Sequence, residues 1–412
     1  MTYPYLAWGT WHYMYDSQRS PRLYGERPQI WFATKKTGSW ERVLVYSKEY
    51  EQSSGLGEPM VAVANNGSYF LCTVYWAYPG IITAFESFDE GATWNELDDA
   101  GHPYGDRMYY RNGLWVLLDG WGVATSTDGK SWSWNSCPFV CRYNGQYMMD
   151  NLGHVHICRQ NGSDIEYAVS DDLGQTWAQS TPVSAYGDYW LDAFTAVTAY
   201  GQHVIVGGNF ESRDYTEHGL YVNFSHDGGL TWEPTDKTQY LLYETDAYES
   251  GYYPPGLGFY PESGQTYLYF LTDGWVRYGD DPYRHWAYRC DNWQIEGNGN
   301  ETHSFTLETI GRGHRGVASS VNPQTGISVF TESFPYFYEE SAWATLWHNT
   351  LTETDPTTWM SWDIIQQRTP EPLYYMAPWW GSPDHWLLTP YDTYSPPVQF
   401  YVTPTRGYAF WR

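Results

Sequence analysis

Seven polar side chains in this chain of 412 residues could together grip a polar ligand: Glu58, Asp106, Arg107, Asp192, Tyr253, Arg315 and Tyr375. Each stands just ahead of an apolar run, so similar elements would deliver acids, guanidinium forks and phenols to similar places. Carboxylates accept, arginines donate from a planar fork, and phenols do both. Taken singly, each has a plain alternative as a solvated or ion-paired rim residue. No Ser-His-Asp spacing, phosphate-binding glycine loop or HExxH pattern accompanies them, and the 12 histidines are scattered along the chain.

A second set of side chains sits in four long segments, 16–27, 208–218, 272–284 and 331–341. They carry Tyr24, Tyr215, Trp275, Tyr278, Tyr336, Phe337 and Tyr338 among Arg22, Arg213, Arg277 and several acids. Long connections bearing rings mark a binding face, although the same rings can pack the loops onto one another. With 40 Tyr and 24 Trp, aromatic residues (19%) outnumber charged ones (17%). Such rings suit strands, and they also suit surfaces on which a sugar face stacks.

The elements that must position these residues are announced by a repeated pattern. SFDEGATW (87–94), STDGKSW (126–132), SDDLGQTW (170–177) and SHDGGLTW (225–232) each read as a tight hairpin. Asp89, Asp128, Asp172 and Asp227 would accept hydrogen bonds from turn amides, the following glycine would turn the chain, and the tryptophan would cover the hairpin. Weaker copies extend the series of tryptophans to Trp40, Trp94, Trp132, Trp177, Trp232, Trp293, Trp359 and Trp411. A glycine turn precedes each, at Gly9, Gly67, Gly113, Gly153, Gly201, Gly264, Gly326 and Gly381. One unit is therefore strand, glycine turn, strand, variable loop, strand, hairpin, strand. Such units cannot bury both faces alone and must stack radially. The pattern predicts an all-β chain without helix, folded over 1–412 as a single β-propeller of four-stranded blades. Eight blades are expected, or seven if the weak first and last units share one.

The repeated pattern resembles the Asp box, or BNR repeat, of sialidases and related propellers. That resemblance implies that the boxes face away from the substrate and serve the fold. It also implies an arginine triad gripping a sialate carboxylate, an Asp acid/base and a Tyr nucleophile beside a Glu. Arg107 and Arg315 are the two arginines that suit such a triad. The early Arg-Ile-Pro string of the family is absent, its nearest counterpart being Glu26-Arg27-Pro28. Other propellers with these boxes resemble glycoside hydrolases with two carboxylates, for which Glu58, Asp106 and Asp192 are the candidates. Still others are binding or assembly scaffolds.

Twenty-two Lys and Arg against 48 Asp and Glu give a net charge of −26, which disfavours nucleic acid and anionic membrane surfaces as partners. Five cysteines without CxxC spacing indicate neither zinc nor a disulfide framework, and no cofactor is expected. Asp280-Asp281 is the nearest approach to a calcium cluster, without EF-hand spacing. The first residues lack the basic and apolar regions of a signal peptide, and no bilayer-length apolar stretch occurs. Synthesis in a cytosol is expected, with a virion as one destination. These readings favour a non-enzymatic propeller that recognises glycans or protein partners through its loop face, as a virus or phage tail or capsid protein would. The alternative is a sialidase-like or other glycoside hydrolase.

Overall fold

Short β-prone runs separated by turn residues leave a helix nowhere to start, and the computed structural model has thirty strands and no helix among its described residues. It describes the backbone of those strands, and side chains chiefly within 61–97, 101–184 and 195–234, with a few positions in 7–47 and 290–305.

The chain opens with β1 (Tyr5–Tyr15), β2 (Leu23–Thr34) and β3 (Glu41–Ser47). Six four-stranded antiparallel sheets follow in simple order. The first is β4 (Pro59–Asn65), β5 (Phe70–Trp76), β6 (Ile81–Ser87) and β7 (Asn95–Leu97). The second is β8 (Arg107–Arg111), β9 (Leu114–Leu118), β10 (Gly122–Ser126) and β11 (Ser133–Ser136). The third is β12 (Gly145–Met149), β13 (Val155–Asn161), β14 (Asp164–Ser170) and β15 (Ala178–Ser184). The fourth is β16 (Tyr189–Tyr200), β17 (His203–Ser212), β18 (His218–Ser225) and β19 (Leu241–Glu244). The fifth is β20 (Gly256–Glu262), β21 (Gln265–Trp275), β22 (Tyr283–Cys290) and β23 (Phe305–Arg312). The sixth is β24 (Val317–Val321), β25 (Ser328–Phe334), β26 (Ala342–His348) and β27 (Ser361–Gln367).

Last come β28 (Leu373–Pro378), β29 (Trp386–Pro390) and β30 (Val398–Val402). They do not form a separate four-stranded unit. Trp11 of β1 pairs with Gln399 of β30, and the two ends of the chain merge into one six-stranded sheet, β28-β29-β30-β1-β2-β3. Gly9 is also not at a turn. It lies within β1 opposite Ile30, because the apolar runs on either side of it form one continuous strand.

Burial falls from the first strand of a sheet to the last. Val61, Ala62, Val63 and Ala64 of β4 have no exposed surface, whereas Asn95 and Glu96 of β7 are open to solvent. First strands also meet across sheets, β1 with β4, β4 with β8, β12 with β16, β16 with β20 and β20 with β24. These contacts bring successive sheets round a common axis, and the chain is a β-propeller.

The four hairpins join third strands to fourth. In the first, Ser87 Oγ bonds Asp89 Oδ1 at 2.9 Å and accepts the Gly91 amide at 2.9 Å. Asp89 accepts the Thr93 amide at 2.8 Å and the Thr93 hydroxyl at 2.6 Å. The same bonds recur around Asp172 and Asp227, and the shorter Asp128 hairpin uses the Lys130 and Ser131 amides. Each hairpin leans on the preceding sheet: Trp94 lies 5.0 Å from Phe32 and Trp232 lies 5.0 Å from Tyr167, ring centre to ring centre.

The fifth sheet carries a variant of this arrangement that corrects the assignment of Trp293. Cys290 Sγ bonds Asn292 Oδ1 at 3.5 Å, and Asn292 Oδ1 accepts the Ser304 amide at 2.8 Å. Ser304 and Phe305 thus take the places of Thr and Trp, and Trp293 belongs to the intervening segment, buried edge-on to His203 at 4.9 Å.

These bonds carry a pH dependence. The Thr93 hydroxyl and amide hold Asp89 below the usual carboxylate range. The Ser131 and Lys130 amides do the same for Asp128, and the Thr176 amide and hydroxyl for Asp172. At Asp227 burial pushes upward but is outweighed by Thr231 and Ser225. A depressed folded value contributes stability that is complete above the unfolded value of about 3.9 and is lost as pH falls through the folded one. The expected result is that Asp89→Asn melts below wild type at pH 7 and that the gap closes below about pH 4. A constant gap would show that the charge of Asp89 does not support the hairpin.

Candidate functional site

In an antiparallel four-stranded meander, the first-to-second and third-to-fourth connections share one end of the sheet. The hairpins therefore mark one face of the propeller. The first residue of each first strand marks the other, together with the second-to-third connections and those from one sheet to the next.

Arg107, the first residue of β8, stands at that loop face with only 6% of its surface exposed. Its guanidinium carbon lies 5.3 Å from the centre of the Tyr147 ring in β12. Its Nε–H is buried without a hydrogen-bond partner. Two residues along the same strand, Tyr109 Oη accepts the Met149 amide at 3.3 Å, which fixes β8 against β12. Tyr104, in the segment leading into β8, meets Tyr75 edge-on with ring centres 4.3 Å apart. Burial pushes the Tyr147 phenol well above its ordinary value, Tyr104 adds to this, and Arg107 opposes it. Phenols held neutral remain hydrogen-bond donors.

Arg107 also bonds the Tyr109 hydroxyl, but with its Nε–H unused the buried guanidinium is only partly compensated. An incoming carboxylate or sulfate would supply the rest, and the Tyr147 ring already steadies the cation from one side. Trp121 adds a ring that no feature of the sequence marked. It sits in the three-residue connection from β9 to β10, whose Asp119 Oδ1 accepts the Trp121 and Gly122 amides at 2.7 and 2.8 Å. It is 43% exposed on the loop face. Length is what singles out a binding loop in a sequence, and this connection is short.

Of the residues singled out in the sequence, Glu58, Asp106, Tyr253, Arg315, Tyr215, Tyr278 and Tyr338 lie outside the described residues, as do Asp280 and Asp281. Glu58 directly precedes β4 in sequence, and Asp106 directly precedes β8. Asp192 and Tyr375 fall within β16 and β28, not ahead of them, because these strands begin pairing earlier. Register shifts lie between Asp192 and Thr195 and between Leu373 and Tyr375. Trp275 is the last residue of β21, paired with Tyr283, and is not in a loop. Second strands run on into the segments expected to be loops, ending at Ser212, Trp275 and Phe334.

Histidines that are scattered in sequence are gathered into two clusters at the hairpin face. In the first, Asp150 Oδ1 accepts the amides of Leu152, Gly153 and His154 at 2.7–2.8 Å. Its Oδ2 faces His156 Nε2 at 3.2 Å, and His156 Nδ1 meets the Tyr167 hydroxyl at 2.6 Å. This network ties the glycine turn of the third sheet to its third strand. Tyr167→Phe should cost about 1–3 kcal/mol, the penalty for stranding a buried imidazole nitrogen, read as a lowered urea midpoint. An unchanged midpoint would show that His156 finds another partner.

The second cluster joins His203, His226, Glu233 and His303. His203 Nδ1 and His226 Nδ1 are 2.9 Å apart, and His226 Nε2 is 2.6 Å from Glu233 Oε1. His303 Nε2 is 2.9 and 3.0 Å from the two oxygens of Glu233. Burial, and then His226, bring His203 down to about 4, so it is neutral near pH 7.

No family model matches the chain, and no curated protein matches it. Among solved structures it is similar to an ulvan lyase from a family of polysaccharide lyases, at 12% identity and a TM-score of 0.44, over 99% of this chain and 97% of that one. It is also similar to the α-L-arabinofuranosidase of Fusarium graminearum, at 14% identity and a TM-score of 0.32, over 84% and 92%. A third is the NanB sialidase of Streptococcus pneumoniae, at 11% identity and a TM-score of 0.38, over 75% and 62%.

Proposed function

We propose that this propeller binds a glycan bearing an acidic group at the loop-face end of its axis. The observation that carries this reading is Arg107, buried over Tyr147 with its Nε–H unpaired. Tyr75, Tyr104 and the exposed Trp121 supply the rings on which sugar faces would stack. Four hairpins on the opposite face serve as Asp boxes, a structural role that leaves the loop face free to vary. Display on a virus or phage tail or capsid would suit such a binding module.

A second reading is that the bound glycan is cleaved. Glu58 and Asp106 directly precede first strands, and Asp192 lies at the bulge of a third; bulges next to a site re-aim side chains. Carboxylates delivered by several first strands to one mouth are the means for glycosidic bond cleavage.

One screen tests both readings. Full-length protein is presented with a panel of neutral, carboxylated and sulfated glycans, and both retention and release of new sugar ends are read. Retention of acidic members alone is the expected result, and binding confined to neutral members, or none, would refute the proposal. Turnover that disappears in Glu58→Gln, Asp106→Asn or Asp192→Asn would establish the second reading; no turnover on any retained glycan would remove it. Detection of the chain in purified particles checks the virion setting.

A further inference from the structure

We propose that His226, Glu233 and His303 bind one divalent transition-metal ion of the zinc class, clamping the fourth and fifth sheets together at the hairpin face. The three side chains come from separate places. His226 is the middle residue of the Ser-His-Asp start of the fourth hairpin, and Glu233 follows its Trp232. His303 arrives from the extended turn of the fifth sheet, in which Asn292 and Ser304 are twelve positions apart where Asp89 and Thr93 are four. The extension that sets this turn apart from the others is what brings the third donor onto Glu233.

The hydrogen-bond geometry aims two ring nitrogens at one carboxylate. His303 Nδ1 lies 3.2 Å from the Asn292 carbonyl oxygen, an acceptor, so Nδ1 carries a proton, and a metal ion would take the place of the proton that Nε2 shares with Glu233. His226 Nδ1 meets His203 Nδ1 at 2.9 Å, and one proton lies between them. With His226 as donor there, its Nε2, which shares a proton with Glu233 at 2.6 Å, is the nitrogen left for an ion. Two imidazole nitrogens and a carboxylate converge, with ligand atoms all within 4.8 Å of one another. Such a convergence of ligand atoms can hold a cation in place of the shared protons. A backbone carbonyl holding the outer nitrogen, as Asn292 does for His303, is a usual support of a metal-bound histidine.

The donor set selects the ion. Two imidazoles and one carboxylate suit zinc, whereas calcium takes six to eight oxygens. His303 is held flat against Phe224, ring centres 3.9 Å apart at 20°, so its direction is set in advance. Glu233 closes on both rings at 2.6–3.0 Å and would draw back by several tenths of an ångström to admit an ion bonded at about 2.0–2.1 Å. The site is on the face opposite Arg107 and would act on stability, not on glycan binding.

The test uses the full chain, stripped with chelator and titrated with zinc chloride, with cobalt as a spectroscopic stand-in. One zinc per chain and a raised melting temperature are expected. Glu233→Gln and His303→Gln should each weaken zinc binding by more than about 100-fold, and His203→Phe by about 10–100-fold with one site retained. His154→Gln, in the other histidine cluster, should leave binding unchanged. If the Gln variants fold poorly, His303→Cys supplies a positive signature, a thiolate-to-cobalt charge-transfer band absent from wild type. Folded stripped protein that takes up no zinc would overturn the proposal. So would His303→Gln binding as tightly as wild type, a folded His303→Cys without the new band, or loss of the ion in His154→Gln.

Discussion

Gly229→Ala is expected to cost about 3–5 kcal/mol, a large stability effect for one added methyl. Two independent costs meet at this residue. Its φ is +90°, in a region that a side chain makes unfavourable, and a Cβ there would stand 2.2 Å from Tyr167 Oη and 2.5 Å from two ring carbons. Tyr167 has no room to retreat, since it is fully buried, bonded to His156 at 2.6 Å and met edge-on by Trp232. The alanine would therefore push the fourth hairpin off the third sheet. Gly113→Ala is the control. Gly113 has φ +80° with nothing within 4 Å of an added methyl, so backbone strain alone, roughly 1–2 kcal/mol, should appear. Urea denaturation of the two variants ranks them. Equal losses would mean that the hairpin is not wedged against its neighbouring sheet, and the account of sheet-to-sheet packing would fail with it.

What the sequence disclosed follows how local each determinant is. Ser87, Asp89 and Thr93 bond to one another within seven residues, so the hairpin, its turn and the strands beside it were readable, and with them the all-β class. The stacking of Trp94 on Phe32 was not, because it joins residues of different sheets. Merging of the chain ends depends on Trp11 meeting Gln399, and no local pattern encodes a pairing of that span. At the fifth hairpin the nearest tryptophan, Trp293, was the natural choice for the covering ring, yet the bonds made by Asn292 pass it over in favour of Phe305. The histidine clusters were missed for the same reason as the chain closure: His226 and His303 are brought together by the order of the sheets. One signal was available for the first cluster, since His154 and His156 alternate in HVH at the start of a strand and flank the turn carboxylate of Asp150. On the loop face Arg107 was identified from its place ahead of an apolar run, whereas its burial, its seat on Tyr147 and its unpaired Nε–H are properties of the assembled sheets.

Those properties make Arg107→Ala the most informative change for function. Removing the cation should weaken binding of an acidic glycan by about 100-fold or more, because truncating one partner of a desolvated charge pair leaves the other without compensation. Arg107→Lys should not restore it, since a point charge on a flexible stem cannot offer the planar fork or lie flat on the Tyr147 ring. Trp121→Ala should weaken binding only about 10-fold, the loss of one stacking face. Stability should move the opposite way from affinity. An arginine buried with an unused donor is held at a cost in the unliganded protein, so Arg107→Ala should melt no lower than wild type even as binding collapses. Titration calorimetry paired with thermal unfolding reads both quantities. A variant that loses stability and affinity together would mark Arg107 as a support for the β8–β12 contact, and one that keeps full affinity would move the glycan site elsewhere on the loop face.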